Sequence, residues 1–272
     1  MDNPISFMSA NLWAREVGWD ASAWLAAGEA TSAWFSPLRT FRERFDELLG
    51  VIGRFDTDAV DMWVTHLDPA WATDEHLATA TELLSAHGLR VASYAGGYGD
   101  DVAAFERSCR IAVALGRPVL GGNVPAWDVD RAGVLALLER YDLRLAFENH
   151  PEEHTPDDIR RRIGDAPLEL VGTAVDTGWW GTNGYDAAKA IEELGELVFY
   201  VHLKDIRRAG EHETCTFGDG VVPVRDCLPA LRRIGYTGPL SVENGPDDHD
   251  PSDEIVESIR RVREWMAAEP SV

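Results

Sequence analysis

Basic residues are scarce in this sequence: 25 lysines and arginines face 47 aspartates and glutamates, which gives a formal net charge of −22 at pH 7. A field of that sign repels polyanions, so it argues against DNA, RNA and anionic membranes as partners. The sequence also lacks a basic leader and any run approaching the ~20 apolar residues of a membrane span. We therefore expect a soluble, cytoplasmic protein that binds a small molecule or a cation.

Cysteine is rare as well. The chain has Cys109, Cys215 and Cys227, which are odd in number, far apart and in none of the spacings that zinc sites use. This pattern argues against a disulfide framework and against a structural zinc site. It predicts buried thiols in a reducing compartment.

Short apolar runs alternate with longer segments of helical periodicity, the pattern of βα units around a parallel sheet. Eight runs are present, and eight strands are the number that closes a (β/α)8 TIM barrel. The predicted strands lie near residues 5–13, 59–67, 90–96, 118–123, 143–150, 171–177, 198–205 and 239–244.

Helices fit between these strands, and a single TIM-barrel domain over residues 1–272 accounts for the whole length. Thr73 and Thr155 have the character of helix N-caps, whereas Gly88, Gly116, Gly195 and Gly235 follow predicted helices as caps of their C-terminal ends. The helices are predicted at about 38–52, 74–87, 101–115, 129–141, 156–163, 185–194, 224–234 and 252–267.

The connection between the first strand and the first helix is unusually long. This β1–α1 loop, at about 14–37, is rich in tryptophan. Long loops of a barrel are usually functional, and aromatic side chains need burial. We predict that it folds over the strand ends as a lid.

Metal-capable side chains end four consecutive predicted strands, from the fifth to the eighth: Glu148, Asp176, His202 and Glu243. Barrel enzymes place their reactive groups at the carboxyl ends of the strands. Neighbouring strands lie about 4.8 Å apart, so four such ends can reach one ion. Three carboxylates and one imidazole form a mostly hard donor set, which favours Mn²⁺ and also suits Mg²⁺ or Co²⁺.

The motifs around these residues read Phe-Glu-Asn-His at 147–150, Val-Asp-Thr-Gly-Trp at 175–179, Val-His-Leu-Lys-Asp at 201–205 and Gly-Tyr-Thr-Gly-Pro-Leu-Ser-Val-Glu at 235–243. They resemble the sugar phosphate isomerase/epimerase family, whose members include ketose 3-epimerases, hydroxypyruvate isomerase and inosose dehydratase. The resemblance covers nearly the whole chain. It implies a xylose isomerase-like barrel, a divalent metal and the same four ligands.

Three further positions bear on the substrate. Arg208 follows His202 by six residues, a spacing at which ketose 3-epimerases have a substrate-binding arginine. Those enzymes carry a histidine where this chain has Trp179, and a second glutamate where it has His154. The motifs therefore indicate the family, but they do not indicate that the substrate is a ketohexose or that the reaction is a 3-epimerisation.

Other residues are candidates for the pocket. His150 and Lys204 share strand parity with ligands, so both are predicted to face the cavity as proton donors or hydroxyl binders. His66 ends the second strand and is predicted to line the pocket. Aromatic rings pack well on sugar C–H faces. Tryptophans at or beyond strand ends are Trp13, Trp63, Trp127, Trp179 and Trp180; of the last two, Trp179 is favoured, because its family counterpart contacts substrate.

A metal chelated by a carbonyl and its neighbouring hydroxyl stabilises the enediolate formed when the adjacent carbon loses a proton. Glu148 and Glu243, on different strands, can each act as the base. We therefore predict a metal-dependent sugar isomerase or epimerase.

The same residues can expel a leaving group, so a dehydratase or lyase acting on inososes or 3-oxo-glycosides, including a C-glycoside deglycosidase-like enzyme, is the alternative. Endonuclease IV-like phosphodiesterases share the fold but need further histidine ligands and a basic groove. The substrate is a sugar or cyclitol. The chain is compatible with a homo-oligomer, or with a hetero-oligomer if it is a deglycosidase subunit.

Overall fold

Eight parallel strands pair in chain order, and the last pairs with the first to close a barrel. The computed structural model describes residues 2–19 and 24–268. The predicted (β/α)8 TIM barrel is confirmed. Its strands are β1 (Ile5–Met8), β2 (Ala59–Trp63), β3 (Arg90–Gly97), β4 (Val119–Asn123), β5 (Leu145–Glu148), β6 (Val171–Asp176), β7 (Val198–Leu203) and β8 (Leu240–Val242).

Helices surround this sheet and bury their apolar faces against its outer surface. Strand residues such as Phe7, Met62 and Val175 are fully buried, because both faces of a barrel sheet are covered. The described α-helices are Trp24–Phe35, Leu38–Ile52, Asp74–Ala86, Val102–Ala114, Ala126–Val129, Arg131–Tyr141, Pro156–Ile163, Thr177–Thr182, Ala187–Leu194, Val224–Arg233 and Ser252–Ala268. No helix within the described ranges has the length and apolar character that crossing a bilayer requires.

The predicted helix caps are present. Thr73 and Thr155 each form a capping box with the residue three positions later. The four glycines predicted to end helices all have positive φ angles, a backbone conformation that other residues adopt at a cost. Local sequence signals therefore set these boundaries.

Several predicted boundaries are wrong at the carboxyl ends of strands. The first two strands end at Met8 and Trp63, and each continues as a 3-10 helix, Ser9–Leu12 and Val64–Leu67. The apolar character of these segments continues beyond the sheet because they pack as walls of the barrel mouth. The helix expected at 129–141 begins at Arg131, because Asp130 caps it by accepting a hydrogen bond from the Gly133 backbone.

The β1–α1 connection contains an α-helix that the sequence analysis did not predict. The helix Trp24–Phe35 occupies much of the segment expected to be loop, and residues 20–23 lie outside the described ranges. This helix packs against Val64–Leu67 at the carboxyl end of the barrel. It is anchored there by Ser32, whose hydroxyl lies 3.0 Å from Asp68 Oδ2. Its position agrees with the expected side of the barrel, and its movement as a lid stays a prediction.

The loop after β7 is also structured. Asp205–Ile206 pairs antiparallel with Thr214–Cys215, so the chain doubles back at the barrel mouth instead of continuing the strand to residue 205. Asp205 holds this loop together, because its carboxylate accepts four backbone hydrogen bonds, from Ile206, Gly218, Gly220 and Val222, at 2.8–3.0 Å.

Candidate active site

A cavity of about 1180 Å³ opens at the carboxyl ends of the strands. Its floor carries acidic groups and its walls carry aromatic rings, the composition expected of a site for a polar small molecule. Residues lining it include Trp13, Trp24, Trp63, Glu148, His150, Trp179, Lys204, His212, Glu243 and His249.

The four residues predicted as metal ligands lie together in this site. One ligand atom from each of Glu148, Asp176, His202 and Glu243 falls within 4.8 Å of all the others. Hard divalent cations bind oxygen and nitrogen at about 2.0–2.6 Å, so ligands on opposite sides of an ion are separated by about 4–5 Å. The spacing of the cluster therefore fits a single cation with little adjustment.

His202 occupies the centre of the cluster. Its Nδ1 lies 2.8 Å from Glu148 Oε1 and 3.1 Å from Glu243 Oε2. Glu243 Oε2 is buried and has no hydrogen-bond partner within the described part of the chain. Its closest positive group is the His202 ring, 3.1 Å away but not hydrogen-bonded to it, and a cation bound in the cluster would compensate the oxygen directly. The donor set thus fits a hard or borderline divalent ion.

Lys204 supplies the positive charge next to this cluster. Its Nζ lies 2.7 Å from Asp176 Oδ2 and 2.7 Å from Glu243 Oε1. Burial of the ammonium group would lower the pKa of Lys204, but the two carboxylates outweigh burial and raise it. Lys204 is therefore a cation at neutral pH, and it shares two carboxylates with the metal that the cluster would hold.

Asp176 also shapes the local backbone. Its Oδ1 accepts hydrogen bonds from the backbone of Gly178 at 2.7 Å and of Trp179 at 3.2 Å, which caps the helix Thr177–Thr182. Burial raises the pKa of Asp176 to about 6, although Lys204 opposes that rise. One side chain thus links the candidate metal cluster to the short helix that presents Trp179.

The two remaining pKa shifts in the cluster have one origin. Burial raises the pKa of Glu148 and lowers that of His202, but their mutual attraction dominates both. The result is a pKa of about 2 for Glu148 and about 10 for His202 in the metal-free protein. Glu148 is therefore a carboxylate over the whole neutral range, the state that a general base requires.

A buried hydroxyl network supports the cluster inside the barrel. Asp61 accepts hydrogen bonds from Ser93 at 2.8 Å and Ser241 at 2.5 Å, and a further one from Tyr200. Burial raises the pKa of Asp61, and the charge on His202 acts against that rise. These contacts fix the interior faces of four strands around the candidate ligands.

The aromatic and basic candidates divide into two groups. Trp13, His150 and Trp179 line the cavity, which is where the sequence predicted them to lie. Trp180 is fully buried in the core. Trp13 is held by its indole N–H, which lies 3.1 Å from the carbonyl of Gly245.

Three predictions of pocket contact are corrected by the structure. His66 lies outside the cavity lining, buried behind Trp63, with its Nδ1 3.0 Å from the hydroxyl of Ser9. Trp127 points into the helical layer, where its indole donates to the carbonyl of Arg162. Arg208 turns to the surface: its side chain is 67% exposed and pairs with Glu211. The hairpin after β7 redirects the chain before position 208, so spacing from His202 alone does not place it.

Sequence reasoning did not name several residues of the cavity wall, among them His212 and Trp24. His212 reaches the cavity from the irregular loop after β7, where no periodicity indicates the direction of a side chain. Trp24 packs between Trp13 and Trp63, with ring centroids 4.8 and 5.0 Å apart, although it lies more than ten residues from either in sequence. The lid prediction gave the side of the barrel for Trp24 but not its place between two rings, and no local signal indicated His212.

Comparison with known proteins places the chain in a family. Residues 50–265 match the model of the xylose isomerase-like TIM barrel family. The chain therefore belongs to the xylose isomerase-like TIM barrel family. Both the closed barrel and the carboxylate–histidine cluster at its carboxyl end agree with this membership.

Individual relatives are more distant. A segment of 76 residues is 34% identical to L-ribulose-5-phosphate 3-epimerase UlaE of Shigella boydii and covers 28% of this chain and 25% of that one. The chain spans less than half the length of the curated relatives it matches.

Among solved structures, a D-tagatose 3-epimerase-like protein superposes with a TM-score of 0.66 at 16% identity, covering 97% of both chains. The probable 3-DHS dehydratase AsbF of Bacillus anthracis superposes with a TM-score of 0.66 at 12% identity, covering 96% of this chain and 98% of that one. Likeness at these identities shows the shared fold alone.

Proposed function

We propose that the protein is a divalent-metal-dependent sugar isomerase or epimerase that removes a proton from the carbon next to a carbonyl. The observation that carries the proposal is the convergence of Glu148, Asp176, His202 and Glu243 at the base of an aromatic-walled cavity. A relative similar over 76 residues is named L-ribulose-5-phosphate 3-epimerase, which supports the same class of reaction.

The four residues would hold the cation, and the mostly oxygen donor set favours Mn²⁺, with Mg²⁺ or Co²⁺ as substitutes. When bound, such an ion stabilises the negative charge that develops on the substrate oxygens as the enediolate forms.

Glu148 and Glu243 are the proposed bases. Glu148 ends β5 and Glu243 directly follows β8, and their carboxylates lie 2.8 and 3.1 Å from the same nitrogen of His202, Nδ1. We propose that they approach the substrate from two sides. A base on each side of the substrate allows a proton to leave one face of a carbon and to return on the other, which is what an epimerisation requires. Glu148 is held in its ionised form, so the proton acceptor is ready at neutral pH.

Elimination is the second candidate. Lys204 and His150 both line the cavity, and each can carry a proton to a departing oxygen after the same abstraction. A dehydratase shares the fold. Inososes and 3-oxo-glycosides are the substrates that would distinguish this reaction from an isomerisation, because an unsaturated product forms only when the leaving group departs.

The test is isotope exchange with the Mn²⁺-loaded protein in D2O. Ketoses, inososes and 3-oxo-glycosides are incubated separately, and NMR reports which of them gains deuterium next to its carbonyl. Glu148→Gln and Glu243→Gln keep one ligating oxygen but remove the basic one, so exchange should fall at least ~100-fold in each.

Glu82→Gln is the matched control, because Glu82 lies on an outer helix, paired with Arg42. It should exchange at the wild-type rate. Exchange that persists in both active-site variants would exclude these glutamates as the bases, and exchange with none of the three compound classes would overturn the proposed function.

A further inference from the structure

His212 is the least expected side chain in the cavity wall. It comes from the loop after β7 and lies flat on Trp179, with ring centroids 3.4 Å apart and planes within 6°. Trp179 lies beside the candidate metal cluster, since Lys204 Nζ is 5.6 Å from the centre of its ring. The imidazole therefore forms a second layer of the wall, and within the described ranges it has no hydrogen bond or ring contact with the four candidate ligands.

The hydrogen bonds around Thr182 determine which nitrogen of His212 carries the proton. The Thr182 hydroxyl lies 2.9 Å from the carbonyl oxygen of Glu211 and 2.9 Å from His212 Nδ1. A carbonyl only accepts, so both contacts are hydrogen bonds at once only when the single hydroxyl hydrogen goes to Glu211. In that arrangement the hydroxyl oxygen accepts from His212, so the proton is on Nδ1 and Nε2 keeps a free lone pair.

That second nitrogen has no protein partner among residues 2–19 and 24–268. It is also absent from the buried polar atoms that lack a hydrogen bond, so solvent reaches it. Since the ring lines the cavity, Nε2 is an acceptor that a bound molecule can use.

The surroundings keep the ring neutral and its position fixed. Burial, together with the charge of Lys204 and the nearby His150, lowers the pKa of His212 to about 2. The loop is tied to the helix Thr177–Thr182 a second time, because the backbone N–H of Gly210 donates to the carbonyl of Thr182 at 2.9 Å. This helix begins directly after Asp176. The position of the imidazole is therefore linked, through the helix, to the position of the candidate metal cluster.

We propose that His212 is a substrate-binding residue whose Nε2 accepts a hydrogen bond from a neutral hydroxyl on the part of the substrate remote from the metal cluster. The inference rests on the proposed function for the identity of the substrate as a sugar or cyclitol. It also favours an unphosphorylated substrate over a phosphorylated one. An unprotonated Nε2 accepts a hydrogen bond from a hydroxyl but has no proton to donate to a phosphate dianion.

The two arginines nearest in sequence support a neutral ligand. Arg207 Nε lies 2.6 Å from Glu213 Oε1, and Arg208 pairs with Glu211 at 2.9 Å. Each guanidinium group of this loop thus has a carboxylate partner that balances its charge, and a phosphate would have to compete with that partner, also at Arg207, which lines the cavity. An unphosphorylated polyol end fits this part of the wall.

The tautomer is tested directly by NMR of the Mg²⁺-loaded protein labelled with ¹⁵N-histidine at pH 7. We expect a protonated Nδ1 and an unprotonated Nε2 for His212. Thr182→Ser should keep that tautomer, whereas Thr182→Val, which preserves shape but removes the acceptor, should mix the two. A protonated Nε2 in the wild-type protein would overturn the inference and leave the proposed function intact.

Binding is measured on the same samples by titration with D-fructose, D-fructose 6-phosphate and dihydroxyacetone. His212→Phe keeps the stacked ring and should weaken D-fructose about 3- to 10-fold, the range of one neutral hydrogen bond. His212→Gln, whose side-chain oxygen approximates the position of Nε2, should recover part of the loss. Dihydroxyacetone has the chelating end but no remote hydroxyl, so it should bind both proteins equally.

Equal weakening of D-fructose and dihydroxyacetone by His212→Phe would assign a merely structural role to the ring, and no weakening of either would remove it from the site. Tighter binding of D-fructose 6-phosphate than of D-fructose would contradict the neutral-hydroxyl assignment. Failure of the wild-type protein to bind any of the three overturns the inference. The D2O exchange experiment reports separately on the proposed function.

Discussion

Lys204 and Asp176 form an ion pair inside the candidate metal site, with Nζ 2.7 Å from Oδ2. The ammonium also contacts Glu243, so it neutralises part of a buried cluster that contains three carboxylates. A divalent cation bound there must compete with it for the same oxygens. We therefore expect Lys204 to lower the affinity of the cluster for a metal.

Lys204→Met should destabilise the metal-free protein and tighten Mn²⁺ binding by on the order of 10-fold, because removal of one partner leaves buried carboxylates without compensation. Titration calorimetry of the metal-free variant measures the change. Lys189→Met is the control, since Lys189 forms an exposed pair with Glu193 on an outer helix and should bind Mn²⁺ as the wild type does. Weaker Mn²⁺ binding by Lys204→Met would show that the lysine supports the ion.

Metal binding should release a proton from His202. The pKa of this side chain is raised to about 10 in the metal-free protein, because Glu148 and Glu243 outweigh the effect of burial. A ligating imidazole must be neutral, so the cation displaces a proton at any pH below that value. We expect Mn²⁺ affinity to rise about 10-fold per pH unit between pH 6 and 8. Calorimetry in buffers of different ionisation enthalpy counts the protons; a count of zero would contradict the prediction.

His66 should make the fold sensitive to acid. Burial lowers its pKa from 6.5 to about 3. Between these two pH values the unfolded chain binds a proton at His66 and the folded protein does not. The stabilisation is complete above pH 6.5 and is lost as the pH falls toward 3. At pH 5 the loss amounts to about 2 kcal/mol.

His66→Asn removes the titrating ring but keeps an acceptor for the Ser9 hydroxyl, which lies 3.0 Å from Nδ1. Urea unfolding at pH 7 and pH 5 should show the free energy of unfolding falling about 2 kcal/mol less in this variant than in the wild type. Equal decreases in the two proteins would mean that His66 does not control this dependence.

Asp205 should be required for the order of the loop that carries His212. Its two carboxylate oxygens accept four backbone N–H groups, and an amide keeps only one of those oxygens. Asp205→Asn should therefore cost about 2–4 kcal/mol and speed hydrogen exchange at Gly218 and Gly220. Asp219→Asn, on the same loop but in a surface pair with Arg261, should change neither. Unchanged exchange in Asp205→Asn would refute the role.

The sequence predicted those features that depend on local periodicity and strand ends. Glu148 and Asp176 are the last residues of β5 and β6, and His202 is the penultimate residue of β7, so the rule that barrel sites form at carboxyl ends was enough to bring them together.

Other features depend on contacts distant in sequence, which no periodicity encodes. The helix Trp24–Phe35 was missed because its apolar residues spread around its circumference, and its location depends on contacts with Val64–Leu67. Arg208 was misplaced and His212 overlooked for one shared reason: a hairpin that Asp205 organises sets the direction of the loop after β7.

The most direct test of the account is the metal content of His202→Ala. The wild-type protein, loaded with Mn²⁺ and dialysed, should retain one ion per chain, and elemental analysis should find less than about one tenth of that in His202→Ala, because the cluster loses its central ligand. His249→Ala removes an imidazole from the same cavity but not from the cluster, and it should retain the full ion. Full occupancy in His202→Ala, with the barrel intact by circular dichroism, would contradict the assignment of this cluster as the metal site.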